Sequence, residues 1–126
     1  MIIQQAEFHA TVPATDMARA RRFYEEKLGL SPEAVFEVGV IYRFAAGTAL
    51  FLYPAGTAGA GHTVGSWFVD NLEGAVAELR AKGIEFEVYD YPNLKTVDGI
   101  ADLGEELGAW FKDSEGNILA VSHLKP

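Results

Sequence analysis

Cysteine is absent from this 126-residue chain. That removes disulfides, thiol nucleophiles, Cys-ligated zinc and iron–sulfur clusters from consideration. Basic residues are scarce: ten Lys and Arg stand against 18 Asp and Glu, for a net charge of −8. Such a balance repels phosphate backbones and anionic membrane surfaces, so neither nucleic acid nor a membrane is expected as a partner. The longest apolar stretch, Phe44 to Tyr53, is broken by Gly47 and Thr48, far short of the roughly 20 residues that span a bilayer. The opening residues Met1 to Gln5 lack the basic and apolar regions of a signal peptide, and a soluble cytoplasmic protein is expected. Serine is also rare, with four in the chain and none in a Gly-x-Ser-x-Gly elbow, which argues against a serine nucleophile.

What is present is a globular composition, 49% hydrophobic and 22% charged. It is enough for one domain over residues 1–126 with its own core. Ala6 to Val12 alternates as a strand and stops at Pro13. Asp16 opens a helix whose apolar positions, Met17, Ala20, Phe23, Tyr24 and Leu28, have helical spacing, and Gly29 ends it. Short strands follow near Val35–Val38, Val40–Ala45 and Thr48–Pro54. The stretch from Ala55 to Gly61 reads as a flexible linker. The pattern then restarts, with a strand from Thr63 to Val69. Asp70 and Glu73 match a capping box, and a helical stripe from Leu72 to Leu79 stops at Gly83. Ile84 to Tyr89, Leu107 to Lys112 and Ile118 to His123 read as strands, with residues 90–106 as a long polar loop.

The order is β-α-β-β-β twice, with one module at about 1–55 and the other at about 62–126. Internal repetition decides architecture. The expected class is α+β, two tandem βαβββ modules whose curved mixed sheets enclose a cavity.

Three stretches carry a resemblance to a known family. Asp16…Phe23-Tyr24-Glu25…Leu28-Gly29-Leu30, Phe68-Val69-Asp70-Asn71-Leu72…Leu79…Gly83, and Trp110-Phe111-Lys112-Asp113-Ser114-Glu115-Gly116-Asn117 resemble signatures of the vicinal oxygen chelate superfamily. That group includes glyoxalase I, extradiol dioxygenases and the fosfomycin- and bleomycin-resistance proteins. Ser114 stands where proline is usual. The resemblance implies a homodimer and, in the metal enzymes, four ligands on the first and last strands of the modules. The corresponding positions here are His9, Phe51 or Leu52, Val64 and Ala120. One imidazole among hydrocarbon side chains cannot replace a hydration shell, so no metal or other cofactor is expected, with His9 and His62 the weak candidates.

Strand parity extends this to a ligand-binding set: His9, Thr11, Tyr42, Phe51, Val64, Ser66, Phe68 and Ala120. Such a pocket is mostly apolar, with His9, Thr11 and Ser66 as polar handles. Seven acids and one lysine between Glu85 and Glu106 suit a cationic ligand under a lid of residues 90–106. The first reading is a metal-independent small-molecule binder of the drug-sequestering type, for an aromatic or cationic ligand. The alternative is a lyase- or isomerase-type enzyme using His9 as acid or base, assisted by Tyr42 or Thr11, or using a metal at His9 and His62.

Overall fold

The computed structural model describes residues 1–126. Two curved mixed sheets, not closed into a barrel, carry one helix each, as the α+β reading expects. The first module comprises β1 (Ala10–Ala14), α1 (Met17–Arg22), β2 (Ala34–Phe36), β3 (Gly39–Arg43) and β4 (Ala49–Pro54). Its sheet order is β1-β4-β3-β2, with β1 parallel to β4. The second comprises β5 (Thr63–Phe68), α2 (Leu72–Ala81), β6 (Asp90–Tyr91), β7 (Leu94–Val97), β8 (Ile100–Asp102), β9 (Glu106–Lys112) and β10 (Ile118–Leu124). Here β5 lies parallel to β10, and the order runs β5-β10-β9-β8-β7-β6. No helix is long and apolar enough to cross a membrane.

Local chemistry sets the helix ends. The Asp16 side chain accepts from the Arg19 amide, satisfying a donor that the first turn leaves free. α1 continues as a π-helical turn over Phe23–Lys27. It closes where Gly29, at φ 77°, lets Leu30 N donate to Tyr24 O. α2 corrects the expected cap by one residue: Asn71, not Asp70, accepts from Gly74 N. The strand pairing carries on far enough that Val69 N still donates to Ser122 O, which delays the helix.

Two further corrections concern the second module. Ile84 to Tyr89 alternates like a strand, but only Phe86 bridges to Phe111, with Glu87 N donating to Trp110 O. The rest of that edge of β9 is taken by β8, through Ala101 opposite Gly108. Residues 90–106 are not a loop but the β6–β8 meander. Its signal was in the chain: Asp98-Gly99, both at positive φ (53° and 83°), turns Val97 back onto Ile100.

One cluster of 16 buried residues spans both modules, from Val12, Tyr24, Val40, Tyr42 and Leu52 to Val76, Phe111, Leu119 and Val121. α1 and α2 both contribute to it, so one face of each sheet is helix-covered and the alternate residues lie on a helix-free face. The edge strands β1 and β5 meet at Ala10 and Gly65, where a methyl group on Gly65 would lie 3.4 Å from Ala10 Cβ.

The Asp113–Asn117 turn latches the second module onto the first. Asp113 Oδ2 accepts from Tyr24 Oη (2.5 Å) and Asn117 Nδ2 (2.9 Å). Its Oδ1 accepts from the amides of Glu115 and Asn117. Asn117 also donates to Pro13 O and accepts from Gly59 N, so the linker is anchored there. Glu115, whose side chain is wholly buried, caps α1 from across the chain: its carboxylate accepts from Thr15, Asp16 and Arg19. Ser114 adds a further donor to Glu115.

These partners, Arg19 foremost, hold the Glu115 carboxyl at about 2, down from 4.5, against the opposing effect of burial. A carboxyl depressed on folding contributes stability that is complete above its unfolded value and lost as pH falls toward the folded one. The urea midpoint should therefore drop as pH falls from 4.5 toward 2. In Glu115→Gln the midpoint should be lower at pH 7 and fall less steeply over that window. An equally steep fall in the variant would remove Glu115 from the acid response.

Candidate ligand site

On the helix-free face two rows of side chains run toward the β1–β5 seam. Ile41, Phe51 and Thr11 stand side by side on β3, β4 and β1. Ser66, Ala120 and Trp110 do so on β5, β10 and β9. Aromatic rings rise along both sides. Phe51 stacks on Tyr53 with centroids 6.4 Å apart and 13° between planes. Trp110 meets Tyr89 edge to face at 5.6 Å, and Tyr89 leads on to Tyr91.

Each wall rests on a glycine. At Gly39, φ 151°, a Cβ would come within 2.8 Å of the Phe51 ring and 2.4 Å of Leu52 O. At Gly108 it would lie 2.9 Å from the Trp110 indole. Only a missing side chain lets these rings lie down on the sheet. With the sheets curved, this face is a trough in which Thr11, Ser66 and Ala120 lie near the seam and one aromatic pair stands on each sheet.

The end of the trough at His9 is polar. His9 Nε2 lies 2.8 Å from Glu7 Oε1. Arg43 donates to Glu7, to Glu33 through two nitrogens, and to Gly47 O. The His9 hydrogen bond and Arg43 hold the Glu7 carboxyl below its ordinary value, and Arg43 does the same for Glu33. Two carboxylates thus face one guanidinium, which leaves this end acidic.

Among the residues expected at the site, His9, Thr11, Phe51, Ser66, Phe68 and Ala120 lie on this face by alternation, with Ala120 itself buried. Val64 alternates with them but also packs toward the core. Tyr42 is a correction. It lies on the opposite face, is 1% exposed, stacks on Tyr24 and donates to Glu25 Oε2. Burial, together with Glu25, pushes its phenol above the ordinary value, so it is a neutral core residue and no assistant to His9. Tyr53, Tyr89 and Trp110 stand beside these residues. They were visible as strand aromatics, but which face each takes depends on register.

The donor set does not fit a divalent ion. His9 is engaged by Glu7 and Arg43, while His62 Nδ1 lies against its neighbour's carbonyl, Thr63 O. No group of three His, Asp or Glu residues is placed to hold a metal ion. His123 Nδ1 pairs with Val69 O at 2.9 Å.

A separate cavity of about 610 Å³ opens beyond the Ala10–Gly65 contact. Phe8, Phe44, Leu50, Trp67 and Leu119 line it, with Val64, Ser66 and Phe68 at its border with the trough face.

Two βαβββ modules meet at their first strands, and a helix covers one face of each sheet. The chain belongs to the Glyoxalase/Bleomycin resistance protein/Dioxygenase superfamily, whose match covers residues 8–121. No curated protein matches it. Among solved structures it is similar to a glyoxalase family protein from Bacillus anthracis: 19% identity, TM-score 0.69, 96% of each chain covered. A glyoxalase/bleomycin resistance protein from Catenulispora acidiphila has 18% identity and a TM-score of 0.68, with 96% of this chain and 100% of that one covered. TnmS3, an antibiotic binding protein from Streptomyces, has 19% identity and a TM-score of 0.61, with 96% of this chain and 97% of that one covered. Likeness at this level speaks for the fold alone.

Proposed function

We propose that this protein binds a flat aromatic small molecule with a cationic substituent, without a metal, as a sequestering protein of the cytoplasm. The observation that carries the reading is the pairing of two features on one face. Of the four positions that hold metal in the superfamily's enzymes, only His9 offers a donor. Around them stand the stacked Phe51–Tyr53 pair and the Tyr89–Trp110 pair. Aromatic walls favour a planar guest over one with tetrahedral reacting centres. The acidic end at Glu7 and Glu33 favours a positive group. TnmS3, an antibiotic binding protein of the same fold, supports the reading.

A homodimer belongs to the same proposal. Val35, Phe36 and Val38 are open in the single chain, apolar surface that a second copy would cover. Sedimentation velocity should give twice the 13.7 kDa chain mass; a monomer at all concentrations would remove the dimer from the proposal.

The direct test titrates chelator-treated protein with planar aromatic cations of the acridinium type, following tryptophan emission. Saturable binding that is unchanged by added zinc or nickel is expected. Binding that appears only with metal would overturn the proposal. His9→Ala separates the binder from the enzyme: affinity should change by less than about tenfold, whereas an acid–base catalyst would lose roughly 10²–10⁴ in rate.

A further inference from the structure

The 610 Å³ cavity at the seam shares Ala49, Val64, Ser66 and Phe68 with the trough face, but its depth lies elsewhere. Its deeper walls, Leu50, Gly65, Trp67 and Leu119, alternate onto the helix-covered face, opposite to Phe51, Ser66 and Ala120. Trp67 fixes this orientation. It stacks on the buried Phe111 with 5° between planes and meets Phe44 edge to face at 5.6 Å.

The internal repeat explains why the space exists. Ala10 faces Leu50 in the first module as Gly65 faces Leu119 in the second. By that register the turn Phe44–Thr48 is the counterpart of Asp113–Asn117. At the Asp113 end of the seam, Asn117 bonds Pro13 O and Gly59 N. The linker also lies against Gly116 there, so that end is closed. At the other end the turn carries Phe44, Ala45, Ala46 and Thr48. The Thr48 hydroxyl is spent on Ala45 O within its own turn. No acid or amide reaches across, so the seam stays open and its walls are apolar.

We infer that this seam cavity is a second ligand site, for a neutral apolar molecule of two or three fused or linked aromatic rings. Three properties define the class. The volume lies within the range of pockets that hold drug-sized ligands. Ten of the 13 lining residues are hydrophobic, and no charged side chain is among them, so an ion would be desolvated without compensation. The Phe44–Trp67 pair offers an aromatic edge and face to a further ring. The Ser66 hydroxyl at the border, which has no partner within the chain, can take one hydrogen bond. This site borders the trough at Ser66 but does not rest on the trough proposal, whose guest is cationic and contacts Phe51 and Trp110.

The test uses N-phenyl-1-naphthylamine, a neutral fluorophore of this class that accepts excitation energy from tryptophan. In a Trp110→Phe protein, Trp67 is the only tryptophan, because the chain has two. Saturable quenching of Trp67 with rising probe emission is expected. Ala10→Leu, which drives a larger side chain into the cavity, should weaken binding by about fivefold or more. Phe51→Ala, in the trough, should leave it within about twofold. Absence of quenching up to the solubility limit overturns the site. So does equal weakening by Phe51→Ala and Ala10→Leu, which would put the probe in the trough and leave that reading standing. If Ala10→Leu does not fold, Phe44→Ala takes its place, and undiminished affinity in that variant overturns the inference.

Discussion

Replacing Asp113 with alanine is expected to lower folding stability by about 3–5 kcal/mol, measured as the shift in urea unfolding with unchanged m-value. The carboxylate is 6% exposed and accepts four hydrogen bonds. Removing it strands a hydroxyl, two amides and a side-chain nitrogen in an apolar surround. The Tyr24 hydroxyl matters most, because Tyr24 is fully buried between Phe23 and Tyr42 and water cannot reach it without opening the core.

Tyr24→Phe removes one bond and leaves the other three, so its cost should be nearer 1–2 kcal/mol. Because both variants act on one network, the double mutant should cost less than the sum of the singles. A loss below about 1 kcal/mol for Asp113→Ala would mean that the turn adapts, and that it is not what binds the modules to each other.

The second large effect concerns the ligand. Trp110→Ala should weaken binding of a planar aromatic cation by about 10- to 100-fold. The indole lies over Gly108, beside Ala120 and in edge contact with Tyr89. Truncation removes the largest surface of that wall and frees Tyr89 from its orienting partner. The side chain is half-buried and faces away from the helix-covered core, so the fold should tolerate the change, as a thermal melt of the variant would show. Unchanged affinity in a folded variant would place the ligand away from this wall and leave the trough without its main support. Isothermal titration is the suitable readout, since the variant loses one of two tryptophans.

Much of this protein is legible along the chain. The two helices appear where the 3.6-residue spacing and the caps put them, because hydrogen bonds between residues three and four apart decide helix ends. β2 to β5, β9 and β10 fall close to their expected positions, since alternation and Gly breaks are also local. β1 instead runs from Ala10 to Ala14 and not from Ala6 to Val12, because on an edge strand Pro13 does not end the pairing with β4. Two of the three stretches resembling the superfamily, those at Asp16–Leu30 and Trp110–Asn117, supply the latch. Tyr24, Asp113, Glu115 and Asn117 form one buried polar network, joined by the Asp16 amide, which gives a physical reason for those four residue types in those places.

The errors share a cause. Tyr42 went to the core and not to the site because parity says that neighbours point apart without saying which face a helix will cover. The polar stretch 90–106 became three strands because an Asp98-Gly99 turn outweighed its charge. Ile84–Tyr89 lost most of its expected pairing because β8 claimed the same edge of β9. Asn71 displaced Asp70 as cap because β5 pairing with β10 extends one residue further.

The sequence by itself determined the repeat, the βαβββ order, the acidic balance and the apolar identity of three of the four superfamily metal positions. All of these rest on residue type and short-range spacing. The tertiary structure alone decided that Phe51 stacks on Tyr53 and Trp110 meets Tyr89 on the helix-free side of their sheets, that Arg43 gathers Glu7 and Glu33, and that the seam is sealed at Asn117 and open at Thr48. Those outcomes depend on contacts between residues tens of positions apart, such as Tyr24 with Asp113 or Phe44 with Trp67. No periodicity within one element encodes which of two competing partners wins, because that choice is made by burial and register when the modules meet.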